Sequence, residues 1–240
     1  MPAHPAAGGG QGWANLGMDI VSVKRVRRLL DDHGEDFFER MLDPGELADC
    51  RTSGGLDLLG LCGRIAAKEA AFKTLRVRDR FLPWRDIVVR RSEGGWPLVE
   101  LRRTASEMAA RSGIADITVS ISHDVDYAVA VAAPIPGEFP GPGRETPANP
   151  LAPSITRSTP MNDALQQVKD WILKRHPERE DIPSDLDLIE NRLIDSLSFV
   201  EFVFLLEQHS GRSIEMETLE VDTIRTLDAI EANFLRAEVK

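Results

Sequence analysis

Apolar positions in the first half of the chain follow first a strand period and then a helix period. A short apolar run over 16–21 leads directly into 22–31, where Val and Leu recur at helical spacing and Lys and Arg fill the opposite face. This pattern predicts a strand followed by a basic amphipathic helix. The segment 56–75, rich in Ala, Leu, Lys and Glu, predicts a second helix.

Two pairs of strands are predicted further along. The runs 85–91 and 97–102 flank Glu93-Gly94-Gly95, which is typical of a hairpin turn. Apolar and polar residues alternate over 117–122, and a second alternation begins at Tyr127. Together these patterns predict an α+β fold with a small antiparallel sheet and helices packed against it.

The second half of the chain has helical periodicity only. Helices are predicted over 162–176, 196–209 and 226–237, which indicates an all-α bundle of three or four short helices. Between the halves, 134–160 holds eight prolines and three glycines. Such a segment has too little apolar surface to fold into an ordered structure. We therefore predict domains at 13–133 and 161–240, joined by a linker over 134–160, and a disordered tail over 1–12.

Charge is distributed unevenly over the 240 residues, whose net charge is -10. Residues 161–240 hold 9 Lys and Arg against 18 Asp and Glu, while residues 1–160 are nearly balanced at 20 against 21. This acidity argues against a nucleic-acid-coating protein or a polybasic membrane protein. With no apolar run of membrane-spanning length and no secretion signal, we expect a cytoplasmic protein. Its two cysteines have no zinc-site spacing.

Two carboxylates occupy positions where a charge is unfavourable. Glu69 falls on the apolar stripe of its predicted helix, and Asp19 interrupts an apolar strand. Each has a structural alternative: Glu69 as a surface pair with Lys73, and Asp19 as the N-cap of the following helix. If the fold brings the two carboxylates together, they would hold a hard cation such as Mg²⁺.

Three further features have both a functional and a structural interpretation. His123 follows a predicted strand, where a surface turn is the alternative. The segment 64–91 carries nine basic against three acidic residues, which suits a phosphate ligand or else a solvated face. Ser196 stands beside Asp195 at a helix start, where helix capping is the simplest explanation. The sequence near Ser196 contains no recognisable general base that would activate a serine nucleophile. Ser196 is therefore more easily explained as a substrate than as a catalytic residue.

Several segments, taken in order, resemble one protein family. They are 17–21 (GMDIV), 37–42 (FFERML), 63–73 (GRIAAKEAAFK), 86–89 (DIVV), 95–97 (GWP) and 119–124 (VSISHD). Over about 16–132 they resemble the holo-acyl-carrier-protein synthases, the short class of 4'-phosphopantetheinyl transferases. Separately, 161–240, with Asp195-Ser196-Leu197, resembles an acyl or peptidyl carrier protein.

This resemblance implies a role for each candidate residue. Asp19 and Glu69 would be Mg²⁺ ligands, with Lys73 binding phosphate or supporting proton transfer. The expected contacts to the coenzyme A phosphates come from Arg64, Lys68, Lys73, Ser122 and His123. Ser196 would accept 4'-phosphopantetheine, with release of 3',5'-ADP, giving a holo-carrier for fatty acid, polyketide or related biosynthesis. Members of this class are trimers with sites between subunits, and the basic helix would dock the carrier through Lys24, Arg25 and Arg28.

Two departures from the family pattern leave alternatives open. Where a small glycine-rich turn is usual after Lys73, this chain has basic residues over 76–80, and Trp96 replaces the usual lysine of a Gly-Lys-Pro turn. One alternative is therefore a catalytically weak module that binds coenzyme A or the fused carrier. Another is an enzyme whose main substrates are carriers on other chains.

Overall fold

A computed structural model gives the structure of residues 15–77, 80–137, 163–216 and 218–235. The chain forms two compact units, Met1–Arg78 with Leu82–Gly143, and Asp79–Phe81 with Arg144–Lys240. The predicted tail over 1–12 and most of the predicted linker lie outside the described residues. Within the described parts, no helix combines the length and apolar character needed to cross a membrane.

The first unit is built from helices and antiparallel strands, as the α+β prediction requires. Its elements in chain order are β1 (Gly17–Ser22), α1 (Val23–His33), α2 (Asp36–Glu39), α3 (Pro44–Asp49), β2 (Arg51–Thr52), β3 (Gly55–Leu56), α4 (Leu58–Leu75), β4 (Ile87–Arg91), β5 (Pro97–Leu101), α5 (Arg103–Arg111), β6 (Ile114–His123) and β7 (Tyr127–Pro136).

Three strands form the principal sheet, in the order β1-β7-β6, with both pairings antiparallel. The register places Asp19 opposite Ala130 and Val119 opposite Ala132. Strands β4 and β5 form the predicted hairpin, and β2 and β3 form a second, very short one. The sheet buries one face, and the long helix α4 packs against β1, β6 and β7.

Helix α4 is the centre of the core. It begins after Asp57, whose carboxylate accepts a hydrogen bond from the Gly60 amide at 3.0 Å, and ends at Arg76. Twelve of its 18 residues are buried, so the helix contacts protein on most of its circumference. A central helix explains why this segment is rich in Ala and Leu rather than amphipathic.

Gly17 sets the distance between β1 and α4. A Cβ atom added at Gly17 would lie 1.9 Å from the Ala70 carbonyl oxygen and 3.2 Å from Lys73 Cβ. Only glycine permits such a close approach of two backbones. This contact fixes the strand that carries Asp19 against the helix that carries Glu69.

Replacing Gly17 by alanine should therefore force β1 away from α4. We expect Gly17→Ala to lower the free energy of unfolding by about 3 kcal/mol or more, at the upper end of the range for overpacking. Urea unfolding of the full chain measures this. The control is Gly54→Ala, where the nearest atom to an added Cβ is Thr52 Oγ1 at 3.8 Å. Equal stability of the two variants would contradict the close-packing argument.

The structure differs from the sequence prediction at three places in the first unit. Strand β7 continues through Pro136, so three residues assigned to the linker belong to the sheet, paired with the start of β6. Helix α5 was not predicted. The segment 37–42, which resembles part of one helix of the family, does not form one helix here, because α2 ends at Glu39 and α3 starts only at Pro44.

All regular elements among the described residues of the second unit are helical. Its elements are α6 (Asp163–Arg175), α7 (Ser196–Ser210), a 3₁₀ turn (Val221–Thr223), α8 (Leu227–Ile230) and a π turn (Glu231–Leu235). Helices α6 and α7 confirm the predicted positions to within a residue or two. Fifteen buried apolar side chains, including Phe199 and Phe202, form one core for this unit.

Candidate active site

Asp19 lies on the face of β1 that packs against α4. Its Oδ1 accepts a hydrogen bond from Lys73 Nζ at 2.7 Å, and the same Nζ donates to the Met18 carbonyl at 2.9 Å. The alternative that Asp19 caps α1 is wrong, because Ser22 is the N-cap and accepts from the Arg25 amide. Asp19 and Lys73 are therefore a pair formed by the tertiary fold.

Glu69 precedes Lys73 by four residues and so lies on the same side of α4. β1 and α4 thus contribute one carboxylate each to the neighbourhood of Lys73. Among the described residues, no group of three or more His, Cys, Asp or Glu could hold a metal ion. Mg²⁺ is usually held by only one or two protein carboxylates, with phosphates and waters completing its shell. The oxygen donors of Asp19 and Glu69 fit that chemistry.

A basic cleft of about 250 Å³ opens in the first unit. The basic side chains that line it are Arg64, Arg90, Arg91 and His123, and the acidic ones are Asp49 and Asp57. Gly95 and Pro97 of the β4–β5 hairpin complete one side. A cleft with four potential cations and two carboxylates suits a multiply charged anion such as a phosphate ester.

Arg64 is nine-tenths buried in this cleft. One amino group donates to Cys50 Sγ and to the Gly60 carbonyl, both at 3.2 Å, and the other lies 3.5 Å from Asp49. Its Nε is buried and has no hydrogen-bond partner among the described residues. Burial raises the pKa of Cys50 to about 11, so this thiol stays neutral and does not compensate the guanidinium charge.

Arg90 and Arg91 are site residues that the sequence analysis missed. Arg90 Nε lies 3.2 Å from Asp49, which therefore bridges Arg64 and Arg90. Arg90 also packs tightly over Gly45, where an added Cβ would lie 2.0 Å from its guanidinium. The only sequence signal for these residues was the excess of basic residues over 64–91.

Comparison with known proteins places the first unit in a family. The sequence pattern of the 4'-phosphopantetheinyl transferase superfamily matches residues 15–132. The holo-acyl-carrier-protein synthase of Desulforudis audaxviator is 38% identical over 117 residues, which are 49% of this chain and 88% of the relative. This chain belongs to the holo-acyl-carrier-protein synthase family. Its first unit is a 4'-phosphopantetheinyl transferase domain.

Other synthases are similar to about half of this chain. That of Halorhodospira halophila is 38% identical over 125 residues, covering 52% of this chain and 98% of the relative. The crystal structure of the Helicobacter pylori synthase in complex with coenzyme A is 30% identical, with a TM-score of 0.43, and covers 50% of this chain and 99% of that one. The crystal structure of the Neisseria meningitidis synthase is also 30% identical, with a TM-score of 0.46, and covers 50% of this chain and 97% of that one.

Lys68 of this synthase lies in the core of the first unit. It is fully buried, and its Nζ donates to Glu46 Oε2 at 2.7 Å, to the Trp84 carbonyl at 2.7 Å and to the Met41 carbonyl at 3.0 Å. These three bonds use every donor of an ammonium group. The phosphate contact expected for Lys68 is therefore not available in this structure, and the residue belongs to the core.

The paired carboxylate of Glu46 is equally buried. It also accepts from the amides of Val89 at 2.7 Å and Asp43 at 2.8 Å. Burial lowers the pKa of Lys68 to about 8 and raises the pKa of Glu46. Because three donors point at the Glu46 carboxylate, we take the pair as charged at neutral pH.

The synthase brings His123 to the cleft but not Ser122. Strand β6 alternates, so Ile121 and His123 line the cleft while Ser122 is exposed opposite Val129. Of the residues expected to contact coenzyme A, Arg64 and His123 share this cleft. Lys73 instead lies beside Asp19.

Ser196 is the first residue of α7. The N-cap is Asp195, whose carboxylate accepts from the Ser198 amide at 2.7 Å, while Ser198 Oγ accepts from the Asp195 amide at 2.9 Å. This capping box is formed by the residues on either side of Ser196. The explanation of Ser196 as the helix cap is therefore wrong, and its half-exposed side chain stands at the positive end of a 15-residue helix.

Proposed function

We propose that this synthase transfers 4'-phosphopantetheine from coenzyme A to Ser196 of its own C-terminal module, releasing 3',5'-ADP. The observation that carries the proposal is that one chain contains a transferase unit and, in a separate helical unit, a half-exposed serine at a helix start that caps nothing. The product would be a holo-carrier for fatty acid, polyketide or related biosynthesis.

Coenzyme A is the donor that best suits the basic cleft. It carries a pyrophosphate and a 3'-phosphate, and guanidinium groups bind such oxygens through directed hydrogen bonds. Arg64, Arg90, Arg91 and His123 would contact these phosphates. The complex of the Helicobacter pylori relative with coenzyme A supports this choice.

The reaction is one substitution at phosphorus. Ser196 Oγ forms a bond to the phosphorus that bears pantetheine, and the bond from that phosphorus to the oxygen of 3',5'-ADP breaks. The serine proton passes to Glu69 or to water. Lys73, held by Asp19, donates to a phosphate oxygen and orients the transferred group. Asp19 and Glu69 would hold Mg²⁺, which when bound neutralises phosphate charge.

The C-terminal module fits a carrier protein by its charge and packing. Residues 161–240 hold twice as many acidic as basic side chains, 18 against 9. Helices α6 and α7 pack on a continuous apolar core, and α7 begins at the Asp-Ser-Leu triplet. An acidic helical module with a serine at a helix start is the partner that a basic transferase surface would recognise.

The carrier would dock on the basic helix α1. Lys24 and Arg28, two of the three expected docking residues, are exposed, while Arg25 is half-buried. Arg27, which the sequence analysis did not select, is exposed as well. Because both units belong to one chain, covalent attachment would raise the effective concentration of the carrier at the transferase.

We also propose that the synthase assembles as a homotrimer. The face of the sheet opposite α4 exposes a set of large apolar side chains, namely Leu16, Met18, Ile20, Tyr127, Val131 and Ile135. A contiguous exposed apolar sheet face marks a protein interface. Closed symmetric assembly of identical chains is the usual way to cover such a face.

A charge in the middle of this face should prevent assembly. We expect Ile20→Glu, at a side chain that is 60% exposed in the single chain, to leave the fold intact and convert the trimer to monomer. Sedimentation velocity at several protein concentrations measures the change. Asp116→Glu, an exposed conservative change on β6, is the control. A monomeric wild type, or a trimeric Ile20→Glu variant, would contradict the proposed interface.

A second candidate function is a module that binds coenzyme A or the carrier with little turnover. It is favoured by Arg76, which ends α4 in the left-handed conformation with φ of 51°, where glycine is the usual residue. Incubation of the full chain with coenzyme A and Mg²⁺ separates the candidates. Release of 3',5'-ADP with a mass gain on the Ser196 peptide supports transfer, whereas binding without release supports the module. If only carriers on other chains gain phosphopantetheine, Ser196 is not the acceptor.

A further inference from the structure

The ring of His176 lies between two segments of the second unit. His176 directly follows α6, and its amide donates to the Leu173 carbonyl at 3.0 Å. Its Nε2 lies 3.0 Å from the Leu193 carbonyl oxygen, and its Nδ1 lies 3.1 Å from Glu178 Oε1. Only 22% of the side chain is exposed. The ring therefore joins the end of α6 to the segment that leads into Ser196.

Both oxygens that contact this ring are hydrogen-bond acceptors. A neutral imidazole has one N–H and can donate to only one of them, whereas the imidazolium has two. The pKa of Glu178 is lowered by a hydrogen bond from its own backbone amide and also by His176, so Glu178 is a carboxylate at neutral pH and accepts only. The arrangement is therefore that of a positively charged His176, and the C-terminus of a helix favours such a cation.

The Leu193 carbonyl depends on this ring for its hydrogen bond. Leu193 is only 2% exposed, and among the described residues no backbone amide donates to its carbonyl. The Leu193 amide itself donates to the Leu188 carbonyl at 2.8 Å, which closes a turn. A buried carbonyl left without a donor is unfavourable. His176 thus holds the backbone three residues before Ser196.

The preceding residue contacts the chain on the other side of Ser196. Arg175 stacks over the Trp171 ring at 3.6 Å and donates to Glu201 Oε1 of α7 at 2.6 Å. Glu201 follows Ser196 by five residues. The end of α6 therefore contacts the backbone before Ser196 through His176 and the helix after it through Arg175.

Three charged residues neighbour the ring. Glu178 contacts it, Arg175 precedes it and is paired with Glu201, and the Arg179 amide donates to the His176 carbonyl at 3.0 Å. The segment before α7 contributes a carbonyl to the ring. Among the described residues, Glu178 is thus the charged group in contact with the ring, and its attraction depends on the ring proton.

We propose that His176 is a positioning residue for the acceptor serine. Its imidazolium fixes the Leu193 carbonyl, and with it the start of α7, where Ser196 is the first residue. Loss of the ring proton leaves one N–H for Leu193 and turns a lone pair toward Glu178, which loosens the ring. The inference rests on the proposed function, since it assumes that Ser196 is the acceptor.

The experiment compares two acceptors in one mixture. Intact mass spectrometry follows the initial rates of phosphopantetheine addition to Ser196 of the full chain and to an added free acyl carrier protein, with coenzyme A and Mg²⁺. Titration of the transferase unit, His123 included, affects both rates, and titration of the free carrier is the same for every variant. We expect the ratio of self-loading to free-carrier loading to fall roughly threefold between about pH 6 and about pH 8, where histidine loses its charge.

Three variants separate the donor from the charge. His176→Gln keeps an N–H for Leu193 without a titrating proton, so its ratio should stay at the high-pH level of the wild type at every pH. Glu178→Gln, at a side chain that is 65% exposed, should also remove the pH dependence. His176→Leu has no donor and should give the lowest ratio throughout. His209→Gln, at the other histidine of this unit, is the matched control and should keep the wild-type profile.

A wild-type ratio that does not change with pH would overturn the proposal. So would an unchanged pH dependence in His176→Gln and Glu178→Gln. If urea unfolding shows that His176→Leu is not folded, the exposed Glu178→Gln variant still decides. ¹⁵N NMR of the ring gives a second readout, because both nitrogens should carry hydrogen at about pH 6. If wild-type Ser196 does not load at all, the proposed function fails, and the NMR measurement still tests the state of His176.

Discussion

Ser196→Ala should abolish the mass gain of the chain on incubation with coenzyme A and Mg²⁺. The hydroxyl is the only part of Ser196 that the proposed reaction uses, and it does not cap α7, so the variant should fold normally. Intact mass spectrometry and urea unfolding measure the two effects. Ser210→Ala, at the other end of the same helix, is the matched control and should load like the wild type.

Asp19→Ala completes this test. It removes a carboxylate of the transferase unit and releases Lys73, so we expect loss of 3',5'-ADP release with every carrier. Ser196→Ala should instead still release 3',5'-ADP when a free carrier protein is supplied. A mass gain of Ser196→Ala incubated without a free carrier would show that the acceptor is another residue. Phosphopantetheine transfer by Asp19→Ala would show that Asp19 is not needed for the reaction.

Lys68→Met should cost about 3–5 kcal/mol of the free energy of unfolding. The substitution removes the cation from a fully buried pair and leaves the Glu46 carboxylate with two backbone donors but no charge partner. An uncompensated buried charge is far more costly than the pair itself. Urea unfolding measures the loss, and the double variant Lys68→Met with Glu46→Gln should recover part of it.

The control is an ion pair on the surface of the same unit. Arg51 lies 2.6 Å from Glu35, with more than two fifths of each side chain exposed. Arg51→Gln should change stability by less than about 1 kcal/mol, because solvent screens such pairs. A Lys68→Met variant as stable as Arg51→Gln would show that Lys68 is not the structural residue described above.

The sequence predicted elements whose cause is local. Helix α1 has apolar residues at helical spacing and was predicted to within two residues at each end. The alternation over 117–122 predicted the later part of β6, which begins three residues earlier, at Ile114. Asp19 was selected because a carboxylate is unfavourable in an apolar strand. The structure supplies the reason for its position, a cation 54 residues away on α4.

The sequence analysis missed an element that is stabilised by a residue far away in the chain. Helix α5 has no capping side chain of its own, because its N-cap is Arg102. The Thr104 amide is instead satisfied by the carboxylate of Asp86, 18 residues earlier. No local pattern reveals such a cap.

The same limit explains the errors at the site. Lys68 and Arg64 both lie on α4 and both looked like phosphate ligands by resemblance. Only the fold shows that Glu46, 22 residues before Lys68, meets it in the core, while Arg64 lines the cleft. Arg90 joins the cleft through Asp49, from which 41 residues separate it.

The exposed apolar face of the sheet makes the stability of this protein dependent on its concentration, if copies associate through that face. Met18, Ile20 and Val131 lie in water on a solitary copy, and each Å² covered on association contributes about 25 cal/mol. If copies associate through this face as proposed, the associated fraction rises with protein concentration, so the melting temperature should rise with it. In that assembly, chains at low concentration would have the least protection from unfolding and from proteolysis of the unfolded state.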